Sequence, residues 1–469
     1  MKPSYLLLIL ILYFTLCFFL LPIIPIAWID EVMFADAAKN LAQTGRYFSR
    51  LWELPHTEEF LLGHLPLWQL LLAIWYKVFP TNIFWTRVPG ILLYIILALL
   101  VWIYYKKQLS LPVAAVLTLA CIGDKAFFEA ARSVRMDLLG AVLFFSLAIG
   151  EKFAWNIYLR SFLCSLLVLV HPNFWIAASF MGISLFWENK RKAILVIPAL
   201  IPIIFYLAWI FPWRHLIADQ LLSHGGQHMH LSGDIFSKVF DYFYFRYFRW
   251  YEVQQLFPIL YIFTLFIGIA LFPKAKETRK WTMLLIVQTL FLAFVTGNFA
   301  RYNMPVVVCV WIMLPWVLVK IPGLSGGKKI PQFLQLGIIL LALYPISSRA
   351  IISLYQQDER DPKEVLKWIA ENIPQDEKTL LVDEAIGYYL QRETTDFALI
   401  HTKDKFNYNQ YPGGVYWLTY ESQVDSNLKF ISKYPIESKE LPNWIPIRQT
   451  YHGLILYQIK GEKKYKELK

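Results

Sequence analysis

From Tyr5 the chain reads YLLLILILYFTLCFFLLPIIPI, and the next charges are Asp30 and Glu31. A charge-free run of this length matches the hydrocarbon core of a bilayer, which a helix crosses in about 20 residues. Similar blocks of about 15–20 residues recur as far as Ile346. Lipid offers the backbone no hydrogen-bond partner, so only helices or closed barrels can span it. The blocks do not alternate apolar and polar residues as barrel strands do. The chain therefore reads as an α-helical polytopic membrane protein. Composition agrees: 57% of the 469 residues are hydrophobic and 17% are charged, against about 25% charged in a soluble domain.

The side on which Lys and Arg collect orients such a chain. With Lys2 inside, the first block exits near Ala27 and is read as a retained span. The stretch of about 30–85 stays outside as two interfacial helices, near Glu31–Gly45 and within HLPLWQLLLAIWYKVF. With the remaining blocks, about eleven transmembrane helices are expected in all. Their inner turns carry Lys106 and Lys107, Lys152, the run ENKRK, the run PKAKETRK, and Lys328 with Lys329. Those turns account for the net charge of +11 without nucleic acid, and membrane lipids are the expected surroundings. A long outer loop is expected over about 212–252. Cys17, Cys121, Cys164 and Cys309 lie in apolar blocks, which argues against a disulfide framework or a cysteine-held metal.

Residues 1–350 thus form a membrane domain. Composition changes near Ser348. Pro362 is suited to a first helical position, with Val365, Leu366 and Ile369 on one face. TLLVDEA, FALIHT, VYWLTY and GLILYQI are strand candidates. Residues 351–469 are read as a small C-terminal α/β extracytoplasmic domain.

Ionisable groups at membrane depth are costly and by default point to function. Four sets lie toward the outer side. Asp30 and Glu31 are either a helix N-cap or carboxylates that take a proton or hold a metal. In ARSVRMD, Arg132 and Arg135 either form local pairs or face an anion at headgroup depth, since guanidinium matches phosphate oxygens. Asp137 would help to orient them. His171, Arg301 and Tyr302 stand at outer span ends, as anchors or as parts of the same cationic pocket. His224, His228 and His230 lie in SHGGQHMHLSGD, either a solvated loop or ligands for a divalent metal ion, the one candidate cofactor. Their spacing matches neither a zinc helix nor a zinc finger. Phosphate-cradling glycine loops, G-x-S-x-G elbows and redox CxxC pairs are missing from the sequence.

In order along the chain come IDEVMFADAAKNLAQTG, GHLPLWQLLLAIWYKVF, TRVPGILLYI, ARSVRMDLLGAVLF, LVHPNF and RYNMPVVV. This series resembles the GT-C-type glycosyltransferases of the protein O-mannosyltransferase and aminoarabinose (lipid A) transferase kind. The layout matches over about 350 residues, and the tail is similar to the aminoarabinose-transferase branch. The resemblance implies transfer of a sugar from a polyprenyl-phosphate donor to a lipid, glycan or protein acceptor, with inversion, on the outer face of a bacterial inner membrane. It implies Asp30 as the catalytic carboxylate, with Glu31 beside it and Asp137 at a second acidic position. Arg132, Arg135, His171, Arg301 and Tyr302 would then meet the donor phosphate, with His64. Two departures stand out. His64-Leu65-Pro66 replaces the family's Lys-Pro-Pro, and His171 replaces a Lys. Each puts a titratable group where the family has a permanent cation.

A transporter or lipid flippase is the alternative, since it too places charges at membrane depth. Such proteins commonly show internal repeats and midplane charges in broken helices. In this chain the unusual charges gather at one face.

Overall fold

A computed structural model describes residues 3–22, 29–52, 54–188, 197–220, 256–272, 276–295, 303–319 and 362–376, and shorter pieces that include Tyr388 and six strands. Helices α1 (Pro3–Phe19), α2 (Ile29–Thr44), α3 (Leu67–Tyr76), α4 (Ile83–Lys106) and α5 (Leu111–Ile122) come first. They are followed by α6 (Lys125–Arg132), α7 (Asp137–Lys152), α8 (Ile157–Val168), α9 (Trp175–Glu188) and α10 (Ile197–Ile210). After these come α11 (Leu256–Leu271), α12 (Lys276–Val295), α13 (Met304–Val319) and α14 (Pro362–Asn372).

Among the described residues, α4 and the helical stretch Leu200–Gln220 are long and apolar enough to cross a membrane. The pair α5 and α6, bent by 54°, passes the same test together. Other apolar helices among the described residues are shorter, at 10–17 residues. Large apolar side chains point outward all round, Leu7, Ile74, Phe205 and Phe266 among them. In water that surface would be prohibitive; in lipid it is the solvent-facing side.

Inside, α4 and α7 pack together, and α7 also meets α8 and α13. Gly90 makes the α4–α6 contact close. A Cβ there would collide with the backbone carbonyl of Ala131. Toward the expected inner side, Lys280 Nζ donates to Glu151 Oε2 at 2.6 Å and to Ser184 Oγ at 2.7 Å.

Two stretches between the expected spans are partly helical. In GDKAFFEAARSVRMD, the Asp124 carboxylate accepts from the Ala126 N–H at 2.9 Å and starts α6. Burial of Phe127, Phe128, Ala130 and Ala131 then keeps that helix. Beyond α10, a 3-10 turn over Phe211–Leu216 absorbs Pro212, and helix continues to Gln220. The outer loop therefore starts later than residue 212. The cause is Gln220, whose buried amide pairs with the segment before α3: Oε1 accepts from Leu62 N (2.7 Å) and Gly63 N (3.1 Å), and Nε2 donates to Phe60 O (2.8 Å).

In the tail, β1 (Thr379–Leu381) lies parallel to β2 (Thr395–Phe397) and to β3 (Gly414–Tyr420). β4 (Trp444–Ile445), β5 (Thr450–Tyr451) and β6 (Leu454–Lys460) complete the sheet. β6 runs antiparallel to β3, β4 and β5, and the order is β2-β1-β3-β6-β4.

Candidate active site

The site is organised around the C-terminal end of α1. The last carbonyls of a helix have no partner within it and carry partial negative charge. Two arginines from other helices supply the missing donors. Arg132 gives Nη1 to Cys17 O at 3.1 Å and Nη2 to Leu20 O at 2.6 Å. Arg87 gives Nη1 to Leu21 O at 2.8 Å. Arg132 is fully buried and lies over the Phe128 ring. Its work is thus to clasp α1 to α6, which differs from the phosphate contact expected of it.

Arg87 has a second task. Its Nε meets Glu31 Oε1 at 2.6 Å and its Nη2 meets Glu31 Oε2 at 2.7 Å, with both side chains fully buried. This forked pair is the strong geometry for guanidinium and carboxylate. Glu31, expected beside Asp30 as a catalytic carboxylate, is thus ion-paired and shut away from water. Arg87 was missed among the site residues. Its signal was present in TRVPG: a lone charge entering an apolar helix has to find a partner.

Asp30 lies in the first turn of α2, and its side chain is outside the described residues. Six residues on, Asp36 Oδ2 accepts from Ser49 Oγ (2.6 Å), Arg50 N (3.1 Å) and Asn40 Nδ2 (3.3 Å). It pins the chain that leaves α2. Burial raises its pKa above the ordinary 3.8, against the opposing pull of those hydrogen bonds. Burial likewise lowers the pKa of Lys39.

Asp137 opens α7 and is buried, with Oδ2 accepting from Arg135 Nε at 2.7 Å. The Arg135 guanidinium also lies 5.9 Å from the Phe34 ring of α2. Between Arg132 and Arg135 the backbone is strained. Val134 has φ +48°, a genuine outlier for a β-branched residue. Its carbonyl accepts from Trp68 Nε1 at 2.8 Å, which holds the kink and so aims Arg135.

His64 is buried among aromatic rings. Its centroid is 4.2 Å from Trp52 and 5.1 Å from Phe34, so it belongs to the same wall as Arg135. His171 precedes a 3-10 turn, and its Nδ1 accepts from the Asn173 N–H at 3.2 Å. With Nδ1 accepting, Nε2 is the ring nitrogen that can donate.

Arg301, Tyr302, His224, His228 and His230 lie outside the described residues. Among the described residues, no group of three His, Cys, Asp or Glu could hold a metal ion. The four cysteines are free and buried.

Helix α3 joins these parts. Leu67 N donates to Leu169 O at 3.3 Å, two residues before His171, and Trp68 bonds Val134. On the lipid side, α1 and α4 enclose an apolar groove of about 770 Å³ lined by Leu7, Ile11, Phe14, Phe18, Ile95 and Leu99. Its outer end, at Phe19, Pro22 and Phe84, adjoins the Arg87 cap.

No family profile and no curated protein matches the sequence. Solved structures do match. The crystal structure of ArnT from Cupriavidus metallidurans bound to undecaprenyl phosphate aligns with TM-score 0.69 at 12% identity, covering 98% of this chain and 99% of that one. The same protein in the apo state aligns with TM-score 0.64 at 12% identity, covering 97% and 98%. The resemblance read from the short motifs thus holds at the level of architecture: the chain shares the fold of ArnT over nearly its whole length.

Proposed function

We propose that this chain is an inverting glycosyltransferase that moves a sugar from a polyprenyl-phosphate donor to an acceptor at the outer membrane face. The observation that carries the reading is the charged cluster around α3. Glu31–Arg87, Asp137–Arg135, His64 and His171 are drawn from distant segments and gathered around α2 and α3 of an ArnT-like fold. A transporter needs charges along a path, whereas one fixed cluster suits a reaction between a lipid headgroup and a partner from water.

In the proposed step, a hydroxyl or amine of the acceptor attacks the sugar C1 from the face opposite the phosphate. The C1–O bond breaks, its electron pair leaves with the phosphate oxygen, and C1 inverts. Asp30, ahead of the occupied Glu31, takes the acceptor's proton. Arg135 and His64, with His171 Nε2–H, meet the charge that grows on the departing phosphate. Asp137 keeps Arg135 from swinging away. The isoprenoid chain stays in lipid, where an apolar groove such as that between α1 and α4 suits it. The tail domain lies on the outer side in this reading, and the membrane is a bacterial inner membrane. The sugar is a hexose or pentose, and the acceptor a lipid, glycan or protein of the cell envelope.

The test is a transfer assay on purified full-length protein. Undecaprenyl phosphate carrying radiolabelled hexoses, pentoses or aminopentoses is incubated with envelope extract. Label passing to an acceptor, with release of undecaprenyl phosphate, supports the reading. No transfer from any donor, with flipping of the same lipids in liposomes, would replace it with transport.

A further inference from the structure

Each charge-bearing segment of the site is fastened to α3 by its own hydrogen bond or close backbone contact. Leu67 N reaches the strand of chain before His171, and Trp68 Nε1 reaches Val134, next to Arg135. Trp75 Nε1 donates to Trp85 O at 2.8 Å, and the Tyr76 hydroxyl donates to Thr86 Oγ1 at 3.1 Å, next to Arg87. α3 also packs closely on α2, which carries Asp30 and Glu31. A shift of this ten-residue helix would therefore move all of these groups together. Its C-terminal end is in turn held from the tail: the Tyr388 hydroxyl donates to the Tyr76 hydroxyl at 3.3 Å. Tyr388 is itself buried, with Lys39 of α2 over its ring at 5.4 Å.

We propose that Tyr388 is a positioning residue for the transfer reaction, setting α3, and through it the Arg87, Arg135 and His171 segments, by the chain Tyr388–Tyr76–Thr86. The proposal rests on the glycosyltransferase reading above for its kinetic consequence, though not for the mechanical coupling. It gives the C-terminal part of the chain an indirect, positioning part in the reaction. Whatever docks on the tail and moves Tyr388 would change turnover at the membrane site. The coupling has a physical basis because packed helices shift as units between discrete arrangements.

The experiment uses full-length protein in detergent with Tyr388→Phe, Tyr76→Phe and the double variant. Each single change removes one hydroxyl and keeps the ring and its packing. Loss of alignment at a remote position lowers the rate of the chemical step more than binding. The expected result is a fall of about tenfold in kcat with KM for the undecaprenyl-phosphate donor within about twofold. The double variant should be no worse than the worse single, because both hydroxyls belong to one chain. Hydrogen exchange without donor should quicken in residues 134–137 and 169–173 in either single variant. Unchanged kcat, additive losses, or exchange that quickens only around Tyr388 would each overturn the proposal. A wild type inactive on every donor would sink the glycosyltransferase reading instead, and the exchange result would then decide the coupling alone.

Discussion

Arg87 holds both oxygens of Glu31 and the Leu21 carbonyl, all away from water. Removing one partner of such a pair leaves a buried charge uncompensated, at a cost of about 3–5 kcal/mol, whereas replacing both with apolar groups is often nearly neutral. Glu31→Leu and Arg87→Met should each lower the thermal midpoint sharply, and the double variant should recover most of the loss. Thermal unfolding in detergent checks this, and additive losses would show that the pair does not act as a unit. Asp36 gives a pH prediction. Its folded pKa is raised by burial, so the folded state binds more protons than the unfolded state between about pH 4 and that raised value. Stability should fall as pH rises through this window, and Asp36→Asn should flatten the slope of midpoint against pH. A wild-type slope of the opposite sign would contradict the assignment. At this scale the sequence exposes which charges are out of place, as with Arg132, Arg135 and Asp137, but not what each one holds. Arg132 looks like a phosphate ligand until the carbonyls of Cys17 and Leu20, more than a hundred residues away, are seen beneath it.

The segment between α6 and α7 stores strain at Val134, whose carbonyl is gripped by Trp68. Glycine occupies this part of backbone space without the steric cost. Val134 is also buried in the core, so Val134→Gly sets relief of about 1–3 kcal/mol of strain against lost burial of about 1.5–3 kcal/mol while loosening the turn that aims Arg135. The thermal midpoint should change little or fall modestly and turnover per folded molecule should fall clearly, as thermal unfolding and the transfer assay run side by side would report. A variant whose turnover per folded molecule stays at wild type would show the kink to be structural alone. Helices such as α2 and α3 are legible because capping residues, proline and apolar spacing act locally. The helical runs over 125–132 and 211–220 are not, because distant partners stabilise them, α4 in one case and the Phe60–Gly63 segment in the other.

Across the whole molecule, the apolar exterior, the bundle and the ArnT-like architecture all follow from one demand: backbone polar groups must be paired before they enter lipid. That demand is written into block lengths, so the membrane fold is readable from the sequence. Depth is less readable. Glu31 and Asp30 are neighbours in the chain, yet Glu31 points into a buried guanidinium, and only the packing of α4 on α1 and α2 reveals it. Asp30 is the proposed base, so its removal is the most direct measurement. Release of undecaprenyl phosphate from its sugar-loaded form should be compared between wild type and Asp30→Asn, with thermal midpoints matched. Loss of a general base typically lowers the rate about 10²–10⁴-fold, and a fall of that size with donor binding intact is the expected result. Turnover near wild type in a folded Asp30→Asn protein would contradict the central claim.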